Sequence, residues 1–186
     1  PKKSQIRFAK ELINDNNNIF LFARPGYFIR ERGSSEEDRY SSGPRNAIKS
    51  TVVNYDWKNF QILAPALQNL KKYYKPKKLI LIGHSGGAYQ GGTIHGKVPG
   101  LVDINILISC PCDWETRKKL SNGKKWETKS QLKELKKNSP SFNYKDIDLK
   151  SLNILIVGKD DKNTAPGVSK YYYDLLKKKK LQVKLH

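Results

Sequence analysis

A serine flanked by glycines is the residue of this sequence best suited to nucleophilic chemistry. Gly83, Ser85 and Gly87 form a G-x-S-x-G motif within GHSGG, directly after the apolar run LILI at 79–82. The run predicts a buried parallel strand, and the residues after the motif predict a helix to about His95. A tight turn between them would strain the serine and lift its hydroxyl above the sheet. The alternative is an ordinary glycine-rich turn that cradles a phosphate, although no Gly-Lys-Ser/Thr follows it.

The elements that would position this serine alternate along the chain. Short apolar runs predict strands at 19–23, 78–83, 102–109, 152–158 and 181–185. Helical periodicity predicts helices at 4–14, 56–74 with a kink or break at Pro65, 128–138 and 167–180. The predicted fold class is α/β, a three-layer α/β/α sandwich with a mostly parallel sheet. We expect one domain over 1–186, with loop or cap insertions near 27–50 and 111–150.

The charge balance does not by itself identify a partner. Lys and Arg total 36 against 17 acidic residues, a net charge of +19 that would suit an anionic partner. The lysines are spaced in pairs among apolar positions, as on a solvated helix face. We therefore expect no nucleic-acid partner, with a polyanion site as the alternative. Since no run of 18 apolar residues occurs, no membrane-spanning segment is expected either. A cytoplasmic location is the default.

The two cysteines offer little chemistry. Cys110 and Cys112 flank Pro111, a spacing too short for an ordinary structural disulfide, so we expect reduced thiols. One pair of cysteines without histidine partners does not form a metal site. We expect no metal and no organic cofactor.

Four features together resemble the α/β-hydrolase superfamily, in particular its prolyl-oligopeptidase and dienelactone-hydrolase branch. They are GHSGG at 83–87, ARPGY at 23–27, NSP at 138–140 ahead of a strand, and GKDD with a following AP across 158–166. The resemblance implies a serine hydrolase in which Ser85 is the nucleophile and the backbone N–H of Gly86 is an oxyanion-hole donor.

The resemblance also implies an acid, in the chain order Ser, then Asp or Glu, then His. Asp161 stands three residues beyond Gly158, where the acid of the family falls. Asp160 is an alternative, and Asp113, after an earlier strand, is a third candidate. The pair at 160 and 161 could instead cap a helix that begins near Pro166.

The histidine departs from the pattern of the family. His186 directly continues the last predicted strand, whereas the family's histidine lies in a loop beyond that strand. His84 lies within the turn and His95 on the helix behind it, so neither is well placed as a base. The second oxyanion donor usually comes from a loop that would precede Pro1. We therefore expect a fragment that lacks both ends of the domain, with the base beyond the chain end.

The expected reaction is hydrolysis of an ester or related acyl bond of a small-molecule acyl substrate, through a covalent acyl-enzyme. One alternative is a serine peptidase of the prolyl-oligopeptidase type, and the other is a non-catalytic binding protein with a basic surface. Trp114 and Trp126 could line an acyl pocket, or pack a cap against the sheet.

Overall fold

The computed structural model divides the chain into two compact units, Pro1–Asn54 and Tyr55–His186. The residues that the structure describes are 3–22, 28–29, 39–40, 55–120 and 129–186. In the first unit, helix α1 spans Lys3–Leu12. Two short strands of this unit, β1 (Phe28–Ile29) and β2 (Arg39–Tyr40), pair antiparallel.

The predicted strand at 19–23 is wrong over its described part. Residues 19–22 are not in a strand, and Phe20, Leu21 and Phe22 are 43%, 48% and 41% exposed. An apolar pattern indicates burial, but a strand forms only where a neighbouring strand satisfies its backbone N–H and C=O groups. The local sequence does not specify that neighbour. The ARPGY segment and most of the insertion near 27–50 lie outside the described residues.

The second unit contains a sheet of four strands in which every neighbouring pair is parallel. The strands follow chain order across the sheet: β3 (Ile80–His84), β4 (Ile104–Ile108), β5 (Leu152–Ile156) and β6 (Gln182–Leu185). The first three are short runs rich in Ile and Leu, as buried parallel strands are, whereas β6 has the sequence QVKL. The predicted α/β class with a mostly parallel sheet is confirmed, and the four carboxyl ends lie along one edge.

Helices precede and connect these strands, with bounds close to most of the predictions. They are α2 (Trp57–Phe60), α3 (Leu63–Tyr74), α4 (Gly86–Lys97), α5 (Trp114–Leu120), α6 (Lys129–Lys137), α7 (Pro140–Asn143), a 3₁₀ turn (Tyr144–Asp146) and α8 (Pro166–Lys178). The predicted helix at 56–74 breaks at 61–62 and not at Pro65, because this proline lies in the first turn of α3, where its missing N–H is not needed. The NSP motif leads into α7 and not into a strand, which corrects that expectation.

The core of the second unit lies on one face of the sheet. Leu107 and Leu155 are fully buried with Tyr172 of α8, and Leu81 packs against a second cluster that contains Phe60. Side chains alternate along a strand, so the neighbouring positions lie on the opposite face. None of the helices in the described ranges is long and apolar enough to cross a membrane.

Candidate active site

Ser85 lies between the carboxyl end of β3 and the start of α4. Its backbone N–H donates to the Ile108 carbonyl of the neighbouring strand at 2.8 Å, and its carbonyl accepts the Tyr89 N–H at 3.1 Å. The residue therefore belongs to the sheet on one side and to the helix on the other. Its φ of 52° and ψ of −117° fall in a region that side chains rarely adopt, so the predicted strained turn is present.

The hydroxyl of Ser85 is not tied to its own helix. The residue is the N-cap of α4, yet its side chain makes no capping hydrogen bond. Serine caps normally have an extended backbone and accept an N–H from the first turn. Gly86 is the first residue of α4, so its N–H has no intrahelical acceptor and lies at the positive end of the helix dipole. The Ser85 hydroxyl and the Gly86 N–H are therefore both suited to contact a ligand at the carboxyl edge of the sheet.

The two glycines of the motif differ in what their surroundings require. A β-carbon on Gly83 would lie 2.5 Å from the carbonyl oxygen of Gly87, closer than real β-carbons approach. A β-carbon on Gly87 would have nothing within 4 Å. Of these two glycines, only Gly83 is therefore required for the close approach of the strand and the helix.

Asp161 lies in the turn after β5, at the same sheet edge as Ser85. Its Oδ1 atom accepts the backbone N–H groups of Asn163 and Thr164, both at 2.9 Å. Two donors on one oxygen fix the orientation of the carboxylate. Asp160 precedes it in the turn and is exposed. The structure thus separates the two neighbouring candidates, because Asp161 is the anchored one.

The pKa of the Asp161 carboxyl is lowered. Its partial burial acts the other way and would raise the pKa, since burial disfavours the charged form. The lowering comes from the backbone N–H groups of Thr164 and Asn163 that donate to the carboxylate, and from the proximity of the Ser109 side chain and of His84. The carboxylate is therefore held in its ionised form, as an acid that orients an imidazolium must be.

Asp113, the third candidate acid, has a different environment. Its side chain is buried, Oδ1 accepts the Thr116 N–H at 2.7 Å, and Oδ2 accepts the Ser141 hydroxyl at 2.6 Å. The carboxylate thereby caps the start of α5 and joins it to α7. Both oxygens have structural partners, so the geometry does not favour Asp113 as a catalytic acid.

Two histidines hold structural positions. His95 is fully buried in α4, with Nε2 3.1 Å from the Ser151 hydroxyl. Burial lowers the pKa of His95 to about 4. His186 continues the β5–β6 ladder, because its N–H donates to the Leu155 carbonyl at 2.9 Å. The prediction that His186 continues the last strand agrees with this hydrogen bond.

Cys110 and Cys112 form a disulfide, which corrects the prediction of reduced thiols. Their Cα atoms are 5.0 Å apart, within the range that a disulfide spans. The spacing rule failed because it ignores chain curvature, and the two residues around Pro111 are close enough to bridge. Both cysteines are fully buried between the helices and the sheet.

Trp114 packs inside the core and does not line an acyl pocket. It is 2% exposed, and its ring contacts the rings of Tyr55 and Tyr89 edge-on, with centroids 5.2 and 6.2 Å away. The guanidinium of Arg117 lies 4.5 Å from the centre of the indole. Of the two predicted roles, packing is the one that the structure supports. Trp126 lies outside the described residues.

Ser109, which the sequence analysis did not single out, lies at the same edge. It directly follows β4, the strand between those that lead to Ser85 and Asp161. A polar residue at a strand's carboxyl end is a recognisable signal in parallel sheets. Recognising Ser109 as part of this site requires the strand order, which the local sequence does not specify.

The sequence profile of the prolyl oligopeptidase family matches residues 15–186. The chain belongs to this family. The match includes the GHSGG motif, all four strands of the parallel sheet and Asp161, and it confirms the resemblance to the α/β-hydrolase superfamily. A comparison with proteins of curated function finds no match.

Solved peptidase structures share the fold. Uncomplexed acylaminoacyl peptidase of Pyrococcus horikoshii is 20% identical with a TM-score of 0.58, over 68% of this chain and 22% of that one. Prolyl oligopeptidase B from Galerina marginata, bound to a 35mer hydrolysis and macrocyclization substrate, is 17% identical with a TM-score of 0.60, over 76% and 22%. Dipeptidyl peptidase 4 of Porphyromonas gingivalis is 12% identical with a TM-score of 0.58, over 74% and 19%. The chain thus spans about a fifth of these structures.

Proposed function

We propose that this chain carries the nucleophile, one oxyanion donor and the acid of a serine peptidase of the prolyl-oligopeptidase type. Ser85 is the nucleophile, the Gly86 N–H is the donor, and Asp161 is the acid. The observation that carries the proposal is the strained turn of Ser85, at the same sheet edge as the anchored carboxylate of Asp161. Membership of the prolyl oligopeptidase family supports a peptide bond over the small ester that the sequence alone favoured.

The chemistry follows from these positions. The Ser85 hydroxyl attacks the scissile carbonyl while an imidazole accepts its proton, which gives a tetrahedral intermediate. The C–N bond then breaks, the imidazolium protonates the departing amine, and the acyl-enzyme remains. The Gly86 N–H donates to the developing oxyanion, an interaction whose loss typically costs about 3 kcal/mol of transition-state stabilisation. The ionised, anchored Asp161 orients the imidazole and stabilises its charged form. A water molecule then attacks the acyl-enzyme while the imidazole accepts its proton, and the imidazolium returns that proton to the Ser85 oxygen as the acid product leaves.

A fluorophosphonate probe tests whether the serine is activated. We expect covalent labelling of Ser85 in the full-length folded protein, and no labelling of the Ser85→Ala variant or of heat-denatured protein. Labelling requires a nucleophile that a base assists, so a non-catalytic binding protein would stay unlabelled. An unlabelled wild-type protein would therefore contradict the proposed activation of Ser85.

Paired substrates distinguish cleavage of a peptide bond from cleavage of an ester bond. Aminoacyl p-nitroanilides and p-nitrophenyl esters differ in the strength of the acyl bond and share a chromogenic readout. A peptidase hydrolyses both series, with Ser85→Ala inactive on each. An esterase hydrolyses the esters alone, and this result would restore the small-molecule acyl substrate as the preferred hypothesis.

A further inference from the structure

The four parallel strands all begin at one edge of the sheet, opposite the edge that carries the candidate active site. The segments that lead into the strands at this amino edge are 71–79, 97–103, 145–151 and 177–181. Hydrogen bonds join neighbouring segments. The Lys71 ammonium donates to the Leu101 carbonyl at 2.9 Å, and the Lys179 ammonium donates to the Ile147 carbonyl at 3.2 Å. The four segments therefore lie side by side along the amino edge.

The amino edge is strongly basic. Its four segments contain twelve lysines and three aspartates, with no arginine and no glutamate. The segments at the opposite edge, 84–86, 109–113 and 157–165, contain two lysines and three aspartates. Lysines that are scattered in the sequence are thus brought together by the parallel topology, at the edge away from the candidate active site.

Helix ends explain only part of this charge. Lysines in the last turn of a helix interact favourably with the helix dipole, which accounts for those at the ends of α3 and α8. Lys77, Lys78 and Lys150 lie outside helices, in the turns before β3 and β5, and are exposed. None of these three forms an ion pair with another described residue. Their charges are therefore not neutralised within the described part of the chain.

Exposed apolar side chains lie among these lysines. Tyr73, near the end of α3, is 79% exposed, and Leu149, just before β5, is 58% exposed. The Tyr73 ring contacts the ring of Tyr74 edge-on, with centroids 4.8 Å apart. Lysines that surround exposed aromatic and aliphatic groups suit the interface of an anionic bilayer, because the apolar groups enter the headgroup region while the ammonium groups stay at the phosphates.

We infer that the amino edge is a docking surface for a membrane rich in anionic lipids, on which the protein lies without spanning it. A single-stranded nucleic acid would also pair with the lysines and could stack on Tyr73, but it offers no apolar environment to Leu149. Lysine also lacks the planar fork with which arginine binds one phosphate bidentately, and point charges suit a diffuse array of headgroups. Docking through this edge leaves the candidate active site on the side of the sheet away from the bilayer.

Cosedimentation of the full-length protein with vesicles tests the inference. We expect binding to phosphatidylcholine vesicles that contain about 30% phosphatidylserine, and no binding to pure phosphatidylcholine, because the attraction requires a negative surface potential. The Ser85→Ala variant should bind as the wild type does, since the inference is independent of the proposed function. Wild-type protein that stays in the supernatant with the anionic vesicles would overturn the inference.

Two matched pairs of lysines test whether the amino edge is the surface that binds. We expect Lys77→Gln/Lys78→Gln to lower the partition coefficient about 30-fold, because each lysine near an anionic surface contributes a factor of about five. Lys118→Gln/Lys119→Gln removes the same charge from α5, where Leu120 lies against Gly167 in the first turn of α8, at the opposite edge. We expect this control to stay within about threefold of wild type. Equal losses from the two pairs would show that net charge alone causes binding, and would overturn the inference.

Substitution of the exposed apolar groups separates a bilayer from a nucleic acid. We expect Leu149→Ser to weaken binding to anionic vesicles about fivefold, because its side chain no longer enters the apolar interface. Ile62→Ser is the control, since Ile62 is 57% exposed at the other end of α3, and we expect no change. Vesicle binding that Leu149→Ser leaves unchanged, together with tighter binding to single-stranded RNA, would overturn the inference and identify a nucleic-acid partner. Melting temperatures establish that each variant is folded.

Discussion

The backbone of Gly83 lies so close to Ala88 that a β-carbon on Gly83 would sit 2.6 Å from the Ala88 Cα. The strand before Ser85 and the helix after it therefore cross with no room for a side chain, and backbone atoms cannot move aside as a flexible side chain can. This contact fixes the angle at which the chain turns through the nucleophile.

We predict that Gly83→Ala lowers the free energy of unfolding by about 3 kcal/mol or more, since overpacking against backbone forces the strand and helix apart. Gly87→Ala is the matched control, because it adds the same methyl group four residues later, into open space. We expect this control to stay within about 0.5 kcal/mol of wild type or to gain slightly from helix propensity. Urea denaturation measures both, and equal losses would contradict the packing argument.

Asp161→Asn tests the acid with a neighbouring control. Asparagine preserves the shape of the side chain but cannot hold an imidazole in the correct tautomer, so we expect kcat to fall about 10³- to 10⁴-fold. Asp160→Asn removes the same charge from the exposed neighbour, and we expect kcat within about twofold of wild type. Both variants should retain the wild-type melting temperature within a few degrees. The reverse order of effects would move the acid to Asp160.

The Cys110–Cys112 disulfide predicts a simple thiol count. Protein unfolded without reductant should show no free thiol, and the same protein after reduction should show two. A bridge that closes so short a loop restricts the unfolded chain little, so the double variant Cys110→Ala/Cys112→Ala should lose less than about 2 kcal/mol. Two thiols in unreduced protein would show that the bridge does not form.

The sequence predicts the parts of this fold that local patterns determine. The runs LILI at 79–82 and LNILI at 152–156 predict strands because short segments rich in Leu and Ile, bounded by polar residues and glycine, are typical of strands in a parallel sheet. The G-x-S-x-G spacing predicts the strained turn, because only a small residue at position 83 lets the strand and helix pass. These features need no knowledge of distant residues.

Other features depend on partners that are distant in the chain. The run at 19–22 is as apolar as the true strands. A strand also needs a neighbouring strand to pair with, and the apolar pattern of the run does not specify that partner. Ser109 becomes recognisable only when β4 is known to lie between β3 and β5. Asp113 is a plausible acid until Ser141 and Thr116 are found to occupy its oxygens. Strand order and hydrogen-bond partners are tertiary properties, which explains these failures.

The buried His95 predicts that stability falls in acid. Burial lowers its pKa to about 4, whereas the ring in the unfolded chain titrates near the ordinary value of 6.5. Between these values the unfolded state binds the extra proton, so acid favours unfolding. The contribution of His95 to the free energy of unfolding is fully present above about pH 6.5. It is lost as the pH falls to about 4, and the loss is up to about 3 kcal/mol.

Urea denaturation at half-unit steps from pH 7 to pH 4 measures this dependence. His95→Gln keeps an amide donor for Ser151 but does not titrate, so its stability should fall less steeply over the same range, from whatever value it has at pH 7. Parallel slopes for the two proteins would show that other groups cause the acid sensitivity.

His186 lies too far from Ser85 to act as its base. The ladder hydrogen bond to Leu155 keeps His186 on the line of β6, and Ser85 extends β3 at the other side of the sheet. Three strand spacings of about 4.8 Å separate these lines by roughly 14 Å, whereas proton transfer needs about 3 Å between heavy atoms. A residue inside a ladder cannot reach across the intervening strands.

We therefore predict that His186→Ala keeps the rate of Ser85 labelling by a fluorophosphonate within about twofold of wild type, because the ring takes no part in the proton transfer. Ser85→Ala provides the zero-rate reference. If His186→Ala abolished labelling while its melting temperature stayed at the wild-type value, the ring would be the base, and the end of β6 would have to leave the ladder in the active protein.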